Sequence, residues 1–243
     1  MSTTKTGFDY DSIKEGYYDL VFAKRNGIQS KWHHLRLARI RKEMGDYQAH
    51  LDMGCGPGTL IGTLPRDKYS VGVDIAASQI EYATDKYGTQ NHHFQTVDPD
   101  GKLPFEDNSF DVVTILEVVE HLPHDYNLYL LKEINRVLRP GGHVLLTTPN
   151  RWWFCVFIEW LRDRIASVTY EEQHITFYKK GGLEDLFREA GFGSSEVATY
   201  QFFAPFFAWI SWGLPDWIEK HEPKWLEKRN GIIFLAKAYK KEQ

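Results

Sequence analysis

The chain has 243 residues, a formal net charge of −4 and 42% hydrophobic residues, which fits one large α/β domain with a well-filled core. No block of lysine or arginine stands out, so we expect no nucleic-acid partner. The two cysteines, Cys55 and Cys155, lack metal-ligand spacing and the N-terminus lacks an apolar signal segment, so the sequence predicts a cytoplasmic protein.

The first 45 residues have a helical pattern. Apolar residues recur at spacings of three and four, which predicts helices at residues 12–25 and 30–45. Gly45 is a suitable end for the second helix. We therefore predict an N-terminal helical cap over residues 1–45 and a second domain over residues 46–243.

Strands and helices alternate after residue 46, which is typical of a parallel sheet with helices on both faces. The predicted strands are residues 49–54, 69–75, 92–97, 110–117 and 142–150. The predicted helices start at residue 59 and cover residues 78–88, 127–140 and 182–192. Two weaker strands, residues 194–203 and 231–240, have no regular helix between them and predict an antiparallel edge.

A glycine-rich segment, LDMGCGPGTL, follows the first strand at residues 51–60. A dinucleotide site has the pattern G-x-G-x-x-G, whereas here the third glycine comes one position early. Asp52, directly ahead of the loop, would repel a pyrophosphate but attract a ligand with an amino group, such as S-adenosylmethionine. Asp74, at the end of the second strand, can accept both hydroxyls of a ribose and so fits either cofactor.

Four segments in this order resemble the class I S-adenosylmethionine-dependent methyltransferases: LDMGCGPGTL, VGVDIAASQIEYA, LPFEDNSFDVVTILEVVEHL and LKEINRVLRPGGHVLLTTPN. The resemblance covers about residues 30–195. It implies an α/β fold with a Rossmann-like, seven-stranded, mostly parallel sheet, an antiparallel last strand and helices on both faces. Here the N-terminal helical cap and aromatic-rich insertions would be added to it.

The same resemblance implies S-adenosylmethionine as the cofactor and assigns its contacts. Asp52, Gly54 and Gly56 would line the methionine part, and Asp74 would bind the ribose. The remaining contacts that it implies are Cys55, Ile75, Gln79, Leu116 and Glu117, together with Asp98 at the adenine amino group. Asp100 is an alternative to Asp98, because the spacing to Leu103 is one residue longer than expected.

Two histidines lie near the expected acceptor cleft, His121 in EVVEHLP and His174 in EEQHITFY. This arrangement resembles the ubiquinone-biosynthesis O-methyltransferases, which place an arginine at the position of Arg36 to hold the cofactor carboxylate. We expect His121 or His174 to act as a general base.

Small-RNA 2′-O-methyltransferases use a similar E-x-x-E-H segment and a later histidine to bind a divalent metal. Glu117, Glu120, His121 and His174 could do the same here. Alternatively, Glu120 and His121 cap the loop after the fourth strand. The sequence leaves the use of a metal open.

Tryptophans are concentrated in the second half of the chain: Trp152, Trp153, Trp160, Trp209, Trp212, Trp217 and Trp225. They fall in two segments, about residues 151–175 and 200–228, which we interpret as an acceptor lid, a lipid-contacting surface or a helical cap packed on itself. The predicted activity is O-methylation of a small apolar, aromatic or lipid-like acceptor. The alternatives are C- or N-methylation of a small molecule, a non-catalytic S-adenosylmethionine-binding protein and, remotely, a nicotinamide oxidoreductase.

Overall fold

The computed structural model describes residues 14–99, 101–150, 174–200, 204–221, 223 and 231–242. Most of the predicted acceptor-lid segments, at residues 151–175 and 200–228, lies outside these ranges. The individual residues that also lie outside them are Asp100, Trp152, Trp153, Cys155, Trp160 and Trp225.

Seven strands form one sheet. They are β1 (Ala49–Met53), β2 (Tyr69–Asp74), β3 (His92–Thr96), β4 (Phe110–Leu116), β5 (Leu138–Pro149), β6 (Ser194–Tyr200) and β7 (Ile233–Tyr239). The strand order is β3-β2-β1-β4-β5-β7-β6, with β1 to β5 paired in parallel. β7 pairs antiparallel with both β5 and β6. The predicted fold is therefore confirmed, although β7 is inserted between two strands and β6 forms the edge.

The described helices are α1 (Tyr17–Ala23), α2 (Gly27–Met44), α3 (Thr59–Gly62), α4 (Ala77–Tyr87), α5 (His124–Val137), α6 (Lys180–Glu189) and α7 (Leu214–His221). Short 3₁₀ turns cover Val119–His121 and Ala204–Trp209. The prediction that no regular helix separates the last two strands was wrong, because α7 lies between β6 and β7 in the chain. The prediction that the fifth helix reaches residue 140 was wrong, because β5 already begins at Leu138. Pro140 disfavours helical backbone in the residue before it and cannot donate an N–H.

Two apolar layers confirm that helices cover both faces of the sheet. On one face, α5 and α6 contribute Leu131, Ile134 and Phe187, all fully buried. On the other face, α2 contributes Ile40 and Met44. Helix α2 thus shares its core with the sheet, and the domain boundary at residue 45 remains a prediction.

A buried carboxylate connects helix α1 to the rest of the molecule through hydrogen bonds. Asp19 is only 1% exposed, and it accepts hydrogen bonds from the hydroxyl groups of Thr59 at 3.0 Å, Tyr82 at 2.9 Å and Tyr87 at 2.6 Å. Lys86 completes the set with an ion pair. Because Thr59 is the first residue of α3, this contact places α1 beside the glycine-rich segment.

Candidate active site

The glycine loop, defined as residues 54–58, follows β1 and has a backbone conformation that glycine adopts easily. Its three glycines have φ values of +69°, +50° and +73°, in the left-handed region that other residues rarely adopt. A Cβ atom on Gly54 would lie 2.5 Å from Cγ2 of Val118. The N–H of Gly54 donates to the carbonyl of Val73 at 2.8 Å, so the loop is held against β2.

Asp74, at the end of β2, also binds the glycine loop. Its carboxylate accepts the N–H of Gly56 at 2.8 Å and that of Ala76 at 3.0 Å. A Cβ atom on Gly56 would meet no heavy atom of the described residues within 4 Å. The loop backbone is therefore open at Gly56, as a cofactor lying against bare backbone requires.

Asp52 lies at the centre of a buried polar network. The hydroxyl of Thr114 donates to Oδ1 of Asp52 at 2.5 Å, and Nε2 of His50 lies 2.8 Å from the same hydroxyl. Burial raises the pKa of Asp52 to about 7, and the nearby Asp74 carboxylate adds to this rise, whereas Thr114 and Arg36 oppose it. A carboxylate in such surroundings favours a cationic ligand group.

The buried polar atoms without a hydrogen-bond partner in the described part of the chain include Nε of Arg36, Oε1 of Glu117 and the hydroxyl of Tyr200. Glu117 also has a φ of +57°, which is rare for a residue with a side chain. Burial raises the pKa of Tyr200, and the negative charge of Glu117 adds to this effect. Buried polar groups are normally paired, so these atoms indicate a place where a ligand supplies partners.

The histidine cluster, which we define as Glu120, His121 and His174, lies just after β4. The ligand atoms of the three side chains all lie within 4.8 Å of one another, and the two imidazole rings are 4.9 Å apart. Glu120 is 1% exposed and accepts a hydrogen bond from the Thr148 hydroxyl at 3.0 Å. Burial, followed by the neighbouring Glu117 carboxylate, raises the pKa of Glu120 well above its ordinary value.

Backbone hydrogen bonds bring His174 to this position. The N–H groups of Ile175 and Thr176 both donate to the carbonyl of Glu120, at 2.9 and 3.1 Å. The Thr176 hydroxyl donates to the carbonyl of Leu122 at 2.6 Å. The structure therefore confirms that the two predicted histidines lie together.

Asn127 supports the same arrangement from helix α5. Its amide nitrogen donates to the carbonyls of Val119 at 2.8 Å and Leu122 at 3.2 Å, and to the Tyr178 hydroxyl at 3.0 Å. Asn127 is fully buried, so it joins the segment after β4 to the segment that carries His174.

One carboxylate and two imidazoles form a donor set that suits divalent transition metals. The cluster of described residues that offers these donors does not include Glu117, the fourth predicted ligand. Glu120, His121 and His174 could thus hold a metal. The alternative that Glu120 and His121 cap the loop after β4 stays open, because backbone hydrogen bonds from Ile175 and Thr176 to Glu120 are enough to bring His174 close.

The other predicted cofactor residues occupy varied places at this edge of the sheet. Ile75 and Leu116 are half-buried at the ends of β2 and β4, and Asp98 is exposed after β3. Cys55 is buried in the glycine loop and is a free thiol. The side-chain carbonyl of Gln79 accepts the N–H of Gly16 at 3.2 Å, which connects α4 to the cap. Their contacts with the cofactor remain predictions.

Four residues of the site were not found from the sequence: His50, Thr114, Asn127 and Tyr200. A polar residue inside a strand that is otherwise apolar was an available signal for His50 and Thr114. The positions of Asn127 and Tyr200 depend on packing between distant segments, and no local pattern marks them.

The residues present fit S-adenosylmethionine. Arg36 offers an unpaired guanidinium nitrogen for a carboxylate, Asp52 is suited to an ammonium group, and Gly56 leaves open backbone. Asp74 ends β2, where a ribose would be bound in an open α/β sheet.

Known proteins share this combination of fold and sequence. Residues 51–146 match the model of a methyltransferase domain family. A demethylmenaquinone methyltransferase of Staphylococcus saprophyticus is 31% identical over 209 residues, which cover 76% of this chain and 87% of that protein. One from Symbiobacterium thermophilum is 28% identical over 214 residues, or 75% and 82% of the two chains.

A solved SAM-dependent methyltransferase structure from Thermotoga maritima has the same fold. It superposes with a TM-score of 0.66 at 18% identity, over 96% of this chain and 98% of that chain. With the glycine loop, the strand order and the sequence relatives in agreement, the chain belongs to the class I S-adenosylmethionine-dependent methyltransferases.

Proposed function

We propose that this methyltransferase acts on an oxygen atom of a small apolar, aromatic or lipid-like acceptor. The observation that supports this is the histidine cluster, whose imidazole rings lie 4.9 Å apart directly after β4. A hydroxyl acceptor must lose its proton during methyl transfer, and an imidazole is the side chain best suited to take it near neutral pH.

The roles of the residues follow from their places at the sheet edge. S-adenosylmethionine supplies a methyl group that its sulfonium already activates. Arg36, Asp52 and Asp74 would hold the carboxylate, ammonium and ribose groups. One imidazole, from His121 or His174, accepts the hydroxyl proton at a ring nitrogen, while the second polarises the first or the acceptor.

A metal-assisted version of this reaction uses the same three side chains. With Glu120, His121 and His174 as ligands, a divalent metal would orient the acceptor hydroxyl and lower its pKa. The donor set supports this version, and metal removal distinguishes it from the first.

The nature of the acceptor rests on two observations. The curated relatives are named for demethylmenaquinone, a quinone. Trp209 and Trp217, on the described part of the second aromatic segment, are 74% and 60% exposed, and tryptophan prefers a boundary between apolar and wet surroundings. We therefore also propose that this segment contacts lipid when the acceptor is supplied from a membrane. None of the described helices has the length and apolar character needed to cross a bilayer.

The deciding experiment measures S-adenosylhomocysteine formation with phenols, catechols, quinols and lipid extracts, with and without EDTA and added divalent metals. Turnover that EDTA abolishes and a metal restores supports the metal-assisted version. Turnover that EDTA does not change supports an imidazole base alone. Tight cofactor binding without turnover would mean either that the panel lacks the acceptor or that the protein is the non-catalytic alternative.

The methylated atom is identified from the product. With ¹³C-labelled methyl donor, carbon NMR separates a methoxy carbon from a methyl group on carbon or nitrogen. A methoxy signal is expected. A carbon-bound methyl signal would replace the proposal by the C-methylation alternative.

A further inference from the structure

Polar side chains cross three central strands on the face of the sheet that α2 covers. Strand pairing sets His50 opposite Ser70 and Asp52 opposite Thr114. His50 and Asp52 are two residues apart on β1, so they share a face. The exposed fraction is zero for His50, Ser70 and Thr114 and 3% for Asp52. Polar groups in such a place are costly unless they are paired.

These four side chains form a continuous chain of hydrogen bonds. Ser70 Oγ lies 3.3 Å from His50 Nδ1, His50 Nε2 lies 2.8 Å from Thr114 Oγ1, and Thr114 lies 2.5 Å from Asp52. A threonine hydroxyl has a single proton. When it donates to a charged Asp52, the imidazole must carry its proton on Nε2 and accept the Ser70 proton on Nδ1.

The same hydrogen-bond chain can also form when Asp52 is protonated, with donor and acceptor exchanged in every bond. Asp52 would then donate to Thr114, Thr114 to Nε2 of His50, and Nδ1 of His50 to Ser70. Burial lowers the pKa of His50 to about 3, so the imidazole stays neutral in both arrangements. The hydrogen bond from Thr114 lowers the pKa of Asp52, so the hydrogen-bond chain favours the ionised carboxylate without a second buried charge.

Two charged side chains on neighbouring elements also act on Asp52, in opposite directions. Arg36 on α2 is the cation that acts on Asp52, and Asp74 on β2 opposes it. The thiol of Cys55 has a pKa raised by burial. On the other side, His50 has the Tyr47 ring at 5.6 Å and the nearby His92 imidazole of β3.

We propose that Thr114 and His50 are positioning residues for cofactor binding: through this chain they favour the ionised form of Asp52, and binding of the cationic cofactor ionises the fraction of Asp52 that still carries a proton and releases that proton. The inference rests on the proposed role of Asp52 in holding the ammonium group of S-adenosylmethionine. It adds two residues to the site and a pH dependence of affinity. With the pKa of Asp52 at about 7, the affinity falls as the pH drops below neutrality, because the proton must first be displaced.

The test measures the dissociation constant of S-adenosylmethionine from pH 6 to pH 9 for wild type, Thr114→Val, Thr114→Ser and His50→Leu. Thr114→Val keeps the shape of the side chain and removes the hydroxyl, whereas Thr114→Ser keeps the hydroxyl. Titration of the ligand's own amino group cancels in the ratio of variant to wild type at each pH.

For Thr114→Val, affinity is expected to fall about fivefold at pH 7 and about tenfold at pH 6, as for a pKa raised by one unit, and to recover at pH 9. His50→Leu follows the same profile with a smaller loss, and Thr114→Ser restores the wild-type profile. Calorimetry in two buffers of different ionisation enthalpy detects proton release by wild type near pH 7. A loss of affinity that is equal at every pH, or no proton release, would overturn the proposal.

Asp52→Asn separates this inference from the role on which it rests. If Asp52→Asn leaves the affinity unchanged, Asp52 does not hold the cofactor and both ideas fail. If it weakens binding while the Thr114 and His50 variants keep the wild-type pH profile, Asp52 holds the cofactor and only the hydrogen-bond chain is refuted. Melting temperatures of all variants identify any that fail to fold, and His50→Leu serves as the second variant in that case.

Discussion

The glycine loop and the histidine cluster lie at the same edge of the sheet but are assembled in different ways. The glycine loop is one short stretch whose shape comes from positive φ values and from backbone hydrogen bonds to β2. The histidine cluster joins Glu120 and His121 to His174, which follows more than 50 residues later. Hydrogen bonds between distant segments bring its members together.

This difference matches what each region is proposed to bind. A cofactor shared by all members of the family can be recognised by backbone, which changes little with side-chain substitution. We expect the acceptor to be recognised by side chains that come from segments far apart in the chain. The variants below test whether the glycine loop serves cofactor binding and the histidine cluster serves catalysis.

The largest effect is expected in the histidine cluster. His121→Ala or His174→Ala should lower kcat by about 10²- to 10⁴-fold, the range for loss of a general base. The dissociation constant of S-adenosylmethionine should change by less than about twofold, because neither residue belongs to the glycine loop. Steady-state kinetics and calorimetry measure the two quantities. His93→Ala, an exposed histidine on β3, is the matched control. If a histidine variant lost cofactor affinity and kcat to the same extent, the histidine cluster would not be specific to catalysis.

Next in size is the comparison of two glycines in the loop. Alanine in the left-handed region costs roughly 1–2 kcal/mol, or about 5- to 30-fold in an equilibrium constant, so Gly54→Ala and Gly56→Ala should both weaken cofactor binding. Gly54→Ala should also destabilise the fold more, because its Cβ would lie 2.5 Å from Val118. Urea denaturation and calorimetry separate the two effects. Equal destabilisation by the two variants would show that Val118 moves aside.

Asn127→Ala tests whether the hydrogen bonds of Asn127 position the histidine cluster. It removes the donor that joins Val119, Leu122 and Tyr178, so kcat should fall about tenfold through misplaced groups. The Michaelis constant for S-adenosylmethionine should be unchanged. Asn135→Ala is the control on the same helix, since its amide donates to the carbonyl of Ala190. If both variants lose the same activity, the effect comes from α5 as a whole.

The smallest effect concerns the contact of Asp19 with the α3 end of the glycine loop. Burial alone would raise the pKa of Asp19, but hydrogen bonds from Lys86, Tyr87, Tyr82 and Thr59 lower it below its ordinary value. Its stabilising contribution is therefore present above the unfolded-state pKa of about 3.9 and is lost as the pH falls through the lower folded-state pKa.

Asp19→Asn should destabilise the protein by about 1 kcal/mol at pH 6, with a smaller difference at pH 3. Denaturation at both pH values checks this expectation. Asp46→Asn removes an exposed carboxylate paired with Lys68 and should have no measurable effect. If the loss of stability caused by Asp19→Asn were larger at pH 3 than at pH 6, the predicted direction of the pH dependence would be wrong.

Patterns within single segments predicted most of the fold and the identity of the cofactor. Alternating β and α segments placed all seven strands, and the early third glycine with Asp52 favoured S-adenosylmethionine over a dinucleotide. Those signals are local because strands, turns and helix starts depend on neighbouring residues. The end of α5 was misplaced where Pro140 lies inside β5.

The sequence by itself determined the fold class and the cofactor, and it predicted a catalytic role for His121 or His174 that remains a prediction. The tertiary structure decided that His121, His174 and Glu120 share one place, that β7 lies between β5 and β6, and that Thr114 and His50 support Asp52. It also decided that Tyr200 and Arg36 present unpaired polar atoms at the site. These features depend on contacts between residues that are far apart in the chain, and the periodicity of one segment carries no information about which other segment will pack against it.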